Sequence, residues 1–132
     1  MELAEWIAFY EKHTKEDFKR HAAFDLYFLP DKGFCEYSIA DNNIYIWQLA
    51  GDVDYWVKIA YDFAQKNGLE AISALILRKP KPFIRRLGFR IVTIEDRNGE
   101  IKYTAKNKKG ETLSATPRGK VYAFTWRIKH DI

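Results

Sequence analysis

The sequence has a single cysteine, Cys35, in 132 residues. No intrachain disulfide can form, and a reducing compartment, the cytoplasm, is expected. Cys35 lies in the apolar stretch from Phe34 to Ala40 and reads as a core filler rather than a nucleophile. Histidine is equally sparse: His13, His21 and His130 are scattered, no Cys/His spacing suggests zinc, and no metal is expected. There is no apolar run of about 18 residues, which argues against a membrane span. The start, Met-Glu-Leu-Ala-Glu-Trp, is acidic where a signal peptide would be basic. Neither a repeat nor a long linker divides the chain, so residues 1–132 read as one domain.

What is present is apolar and aromatic. Hydrophobic residues make up 47% of the chain and aromatics 16%, enough to offset the entropy of ordering it. Charge is split along the length. Residues 78–120 hold 13 Lys/Arg against 4 Asp/Glu, whereas residues 1–77 hold 7 against 13. An acidic half is therefore joined to a basic half. Such a split serves nucleic acid, an anionic cofactor, or solubility alone.

The hydrophobic period changes several times. Leu3, Trp6, Ile7 and Tyr10 recur at helical spacing, so an amphipathic helix is expected first. Thr14, with Asp17 three residues on, predicts a second helix through "TKEDFKRHAAF". "FDLYFL", "FCEYSIA" and "IYIWQLA" are short, aromatic and β-branched, and Pro30-Asp31-Lys32-Gly33 and Asp41-Asn42-Asn43 separate them. They predict an antiparallel three-strand meander. From Asp52 the helical period returns and ends at Asn67-Gly68. "AISALIL" reads as a buried strand parallel to its neighbour. "KPKPFIRRLGF" predicts a short helix opened by Pro80 or Pro82 and closed by Gly88. "FRIVTIE", "EIKYTAK" and "KVYAFTWRI" follow as strands, with "NKKGETLSATPRG" expected as a polar loop. The expected order, α-α-β-β-β-α-β-α-β-β-β, is an α+β pattern with one central crossover.

That order resembles the GNAT family of N-acetyltransferases over roughly residues 14–129, without the family's first strand. The strongest local piece is "RRLGFRIV", which reproduces the family's Gly-Phe step, here Gly88-Phe89, from short helix into strand. Shorter stretches also resemble GNAT-like proteins carried by phages and prophages. The resemblance implies a GNAT-like fold, with a central mixed, mostly antiparallel sheet flanked by helices. It also implies an acetyl-CoA-dependent N-acetyltransferase acting on an amine acceptor.

The family's diphosphate motif, Arg/Gln-x-x-Gly-x-Gly/Ala, falls on Gln48-Leu49-Ala50-Gly51-Asp52-Val53. Glycines there let the backbone approach phosphates, which free amides and the helix dipole then stabilise. By resemblance, main chain near Ile46 and Gln48 pairs with pantetheine, and amides around Ala50, Gly51, Asp52 and Val53 receive the diphosphate. Arg78 would reach an adenylate phosphate. Val53 departs from the motif's small residue, and Asp52 also reads as a plain N-cap. The family's catalytic Tyr position holds Ile84, which cannot donate a proton. Glu36 is the acid inside the second meander strand, either a general base or a solvated edge residue. Tyr45 and Tyr37 are candidate acids or packed aromatics.

Two other readings stay open. One is a GNAT-like scaffold or binding protein without catalysis. The other is nucleic-acid binding through residues 78–120, where interleaved Tyr103, Tyr122 and Trp126 would stack bases. The transferase is favoured over both.

Overall fold

A computed structural model describes residues 1–130. Helix α1 (Leu3–Thr14) matches the first expected helix; the Glu5 carboxylate reaches back to the Glu2 amide at 2.9 Å, and Lys15 ends it in the left-handed region. The second expected helix is absent: residues 15–24 form turns and irregular chain. Thr14 closes α1 instead of opening a new helix, its hydroxyl donating to the Tyr10 carbonyl at 2.8 Å. The segment then gives its amides to side chains of other elements. Phe18 donates to Glu11 at 2.9 Å, Lys19 to Gln48 at 3.1 Å and His21 to Glu36 at 3.0 Å. Those tertiary bonds take donors that a helix would have used.

The meander follows as β1 (Asp25–Leu29), β2 (Gly33–Ala40) and β3 (Asn43–Gly51). Asp41 and Asn42 both have positive φ, the two-residue turn that suits the twist of a hairpin. Next come α2 (Val53–Asn67), β4 (Ala71–Ile76) and α3 (Pro80–Arg86), with Pro80 in the first turn and Gly88 just beyond the end at φ +90°. Strands β5 (Arg90–Arg97), β6 (Glu100–Lys106), β7 (Thr112–Arg118) and β8 (Val121–Arg127) complete the fold. Strand β7 corrects the expected loop at 107–119. Leu113 and Ala115 point inward while Thr112, Ser114 and Thr116 point outward, so a polar outer face disguised a strand.

All eight strands form one sheet in the order β1-β2-β3-β4-β8-β7-β6-β5. The β3/β4 pairing is parallel and the others antiparallel, as α2 crossing between those strands requires. The fold class is the expected α+β arrangement of meander, long helix, parallel strand and short helix. Helices α2 and α3 cover one face, where Trp56, Ala60, Phe83 and Ile84 pack with Ile46, Ile72, Ala74 and Phe124. Helix α1 lies on the opposite face, where Tyr10 meets Phe34 and Ala50. Phe89, at the end of the Gly-Phe step, packs edge-on against Trp126 at 4.9 Å. No described helix is long and apolar enough to cross a membrane.

Candidate functional site

Strands β3 and β4 begin as a parallel pair and then part. Their register runs from Asn43/Ala71 to Ile46/Ala74 and stops there. Strand β3 continues to Gly51, still paired with β2, while β4 continues along β8 to the Ile76/Tyr122 pair. At the parting point β3 carries a bulge: Trp47 and Gln48 together oppose the single residue Glu36. A bulge increases local twist and turns one strand away from its neighbour. The edge of β3 from Trp47 to Gly51 is thereby left without a strand partner on the β4 side, a row of main-chain groups of the kind an extended ligand pairs with.

The bulge also gathers a buried polar cluster around Glu36. Glu36, expected as an edge residue or a base, is 0% exposed, which removes the solvated-edge reading. Its carboxylate accepts from the Gln48 side-chain amide at 2.6 Å, the His21 amide at 3.0 Å and Arg20 at 2.9 Å, and it meets His21 Nδ1 at 3.2 Å. Burial pushes this carboxyl up. The His21 amide, the Gln48 amide and the His21 ring outweigh it and hold Glu36 below the usual carboxylate range. An ionised carboxylate only accepts, so Nδ1 of His21 carries the shared hydrogen. That leaves His21 Nε2 to take up or release a proton. The His21 side chain is 42% exposed and stands edge-on to Trp47, ring centroids 5.4 Å apart. Arg20 and His21 were missed as site residues because they sit in a segment read as a helix. The signal available was a Lys19-Arg20-His21 run upstream of the acid in the second meander strand.

Gln48 has both ends of its amide committed, to Lys19 main chain on either side and to Glu36. Ile46 is buried under α2 and already paired with Ala74 of β4, which takes it out of the expected cofactor contacts; Ala50 is buried under α1, and its main chain lies on the unpaired edge. Gly51 has φ +102°, and a Cβ there would strike the Lys32 carbonyl. Its glycine is explained by that packing alone. Asp52 is the N-cap of α2 and accepts from the Tyr55 amide at 3.1 Å, which with nearby Lys32 holds its carboxyl low. Lys32 stands 3.5 Å from Asp52 and Arg86 2.6 Å from Asp54, so two cations balance the two acids at the helix mouth. Val53, one residue on, packs partly buried against the main core. The strand edge therefore fits a pantetheine arm well, while the capped mouth fits a diphosphate less well.

Tyr45 is on the same face as Trp47, exposed, and its hydroxyl accepts from Asn43 at 3.3 Å. Tyr37 lies on the other face and packs partly buried against the main core. Arg78 is exposed in the link between β4 and α3. Ile84 is fully buried, so no acid sits at that position. A cavity of about 190 Å³ lies away from the bulge, between β2, β3 and α2, with Cys35, Ile46 and Phe63 in its wall. Its lining is mostly apolar and carries no carboxylate or histidine; burial pushes the Cys35 thiol up to about 12 and raises the Tyr37 phenol as well.

No protein-family model matches this chain, and no curated protein matches it. Among solved structures, it is similar to the ribosomal-protein-S18-alanine N-acetyltransferase of Escherichia coli. The TM-score is 0.47 and identity 15%, over 97% of this chain and 89% of that one. A likeness at that level assigns neither a family nor a substrate to this chain.

Proposed function

We propose that the chain is an acyl-CoA-dependent N-acyltransferase acting on an amine. The observation that carries this reading is the parting of β3 and β4 beside a histidine-carboxylate pair. The main chain of Trp47 to Gly51 would hold the pantetheine arm, with Gln48 kept rigid by Lys19 and Glu36. Arg78 would supply positive charge for the phosphates, with Lys32 and Arg86 offsetting Asp52 and Asp54, and the Val53 and Asp54 amides would be the donors that Asp52 leaves open. Acyl-CoA would supply a thioester carbonyl for the amine to attack.

His21 Nε2 would take the amine proton. Glu36 holds the ring through Nδ1 and stabilises the imidazolium that results, which makes Glu36 a positioning residue rather than the base itself. Tyr45, exposed on the same face two residues before Trp47, is the hydroxyl assigned to protonate the leaving thiolate. Isothermal titration of the full chain with acetyl-CoA tests the reading. Micromolar binding is expected, and the absence of heat together with no acyl transfer to simple amines would overturn it.

A second reading has its own observation. The Asp52 carboxylate occupies the Tyr55 amide at the helix mouth, and Ile84 is buried where the resembled family carries its acid. Both suit a GNAT-like scaffold without catalysis. A gene position among virion genes, with no acetyl-CoA binding, would favour that alternative.

A further inference from the structure

We propose that the uncovered face of the sheet binds single-stranded nucleic acid. The α1 cluster reaches only β1, β2 and β3, and α2 and α3 lie on the other side. Beyond β3 this face carries no helix. Along it runs one row of hydroxyls across adjacent strands in register: Tyr45, Ser73, Thr125, Ser114, Thr104 and Thr93. Five strand spacings make the row about 24 Å long. Each of these residues alternates with side chains that face α2 and α3 or, beyond the helices' reach, lie on that side, so the row points away from them. The serine and threonine hydroxyls have no partner among the described residues, and none is sealed from solvent. An apolar core has no use for such a row; a polar ligand laid across it does.

Charge on the same face selects the ligand. The next row along the strands reads Arg127, Thr112, Lys106 and Arg90, again in register. Lys102 and Arg118 lie on the other flank of the hydroxyl row. Arg90, Lys102, Lys106, Arg118 and Arg127 form no ion pair among the described residues. The acids on this face are Glu95, directly across from Lys102 and 3.9 Å from Arg97, and Glu100 at the β5–β6 turn; Arg90, Lys106 and Arg127 lie on the other side of the hydroxyl row from both. Unneutralised cations in a line match a chain of phosphates, each contact releasing counterions. At the β3 end of the hydroxyl row, Trp47 and Tyr45 are 43% and 36% exposed, large rings on which bases stack. An acidic peptide would use the cations but not the rings. In a duplex the bases are already paired and stacked, which leaves the rings at the β3 end nothing to stack on. The aromatics at one end of the hydroxyl row and the cations along its flanks together favour a single strand with unstacked bases.

The test is fluorescence anisotropy of the full chain with labelled DNA and RNA single strands of about 12 nucleotides, over a salt series. Binding is expected to weaken with salt at about 0.7 in log–log slope per phosphate engaged. R90Q/K106Q/R127Q lowers that slope by about 2, and each single substitution by about 0.7, so a misfolded triple variant does not spoil the test. W47A weakens binding about fivefold or more. Polyglutamate competes poorly. The proposal is overturned if no strand binds at low salt, if the substitutions leave the slope unchanged, or if polyglutamate displaces the strand as readily as unlabelled nucleic acid.

Discussion

Gly33 and Gly51 are cross-strand partners on β2 and β3, both with φ near +100°, at +101° and +102°. Each leaves its missing Cβ where the other strand's main chain runs: the Ala50 carbonyl for Gly33, the Lys32 carbonyl for Gly51. The turn from β3 into α2 is therefore a packed corner, whatever else it holds. The Lys32 carbonyl adds to it by accepting from the Asp52 amide at 2.9 Å and from the Trp56 indole at 3.0 Å.

Gly51→Ala combines a backbone conformation closed to side chains with a main-chain overlap. Strain of about 1–3 kcal/mol from the first and about 1–3 kcal/mol from the second should lower the urea midpoint clearly. Gly119→Ala, at φ +60° with nothing near its missing Cβ, should cost less. Equal midpoints for the two variants would contradict the corner.

Acid should destabilise the fold through two buried carboxylates. Glu36 and Glu111 are both held below the usual carboxylate range, burial pushing each up and their donors prevailing. Glu111 accepts from Tyr61, Asn107, Trp126 and the Lys129 amide, tying α2 and β8 to the turn before β7. A folded pKa below the unfolded one contributes stability above the ordinary Glu value. That contribution is lost as pH falls through the folded value. Urea midpoints should therefore drop below about pH 4.5, and E36Q/E111Q, weaker at pH 7, should show a flatter acid limb. An acid limb as steep as that of the unaltered chain would contradict this assignment.

Much of the frame was legible in the sequence because local rules and global fold agree there. Leu3–Thr14, Asp52–Gly68 and Glu100–Lys106 carry period, caps and turn residues that tertiary contacts reinforce. The second helix failed where they disagree. Helical propensity in residues 15–24 lost to buried acceptors at Gln48 and Glu36, more than ten residues away and invisible to a local pattern. Strand β7 was hidden because its inward residues are only Leu113 and Ala115 between hydroxyls. The site was half legible. Glu36 stood out as a lone acid between apolar neighbours, but its role depends on His21, which no spacing rule links to it.

His21→Asn should lower the acyl-transfer rate constant by about 10²–10⁴-fold while leaving acetyl-CoA binding unchanged, since the ring is placed on the amine side. Glu36→Gln should lower it less and shift the pH–rate profile, because the ring loses its anionic partner but keeps a neighbour of similar shape. Steady-state kinetics with a separate binding measurement distinguishes the two. An H21N variant with full turnover would remove the histidine from the mechanism.

The most direct measurement is an NMR titration of the backbone amides with acetyl-CoA. The account predicts perturbations concentrated at Trp47 to Asp54, where β3 has lost its β4 partner, with little change along the paired segment Asn43 to Ile46. Unperturbed amides at 47–54 with saturating acetyl-CoA, or changes confined to residues elsewhere, would contradict it.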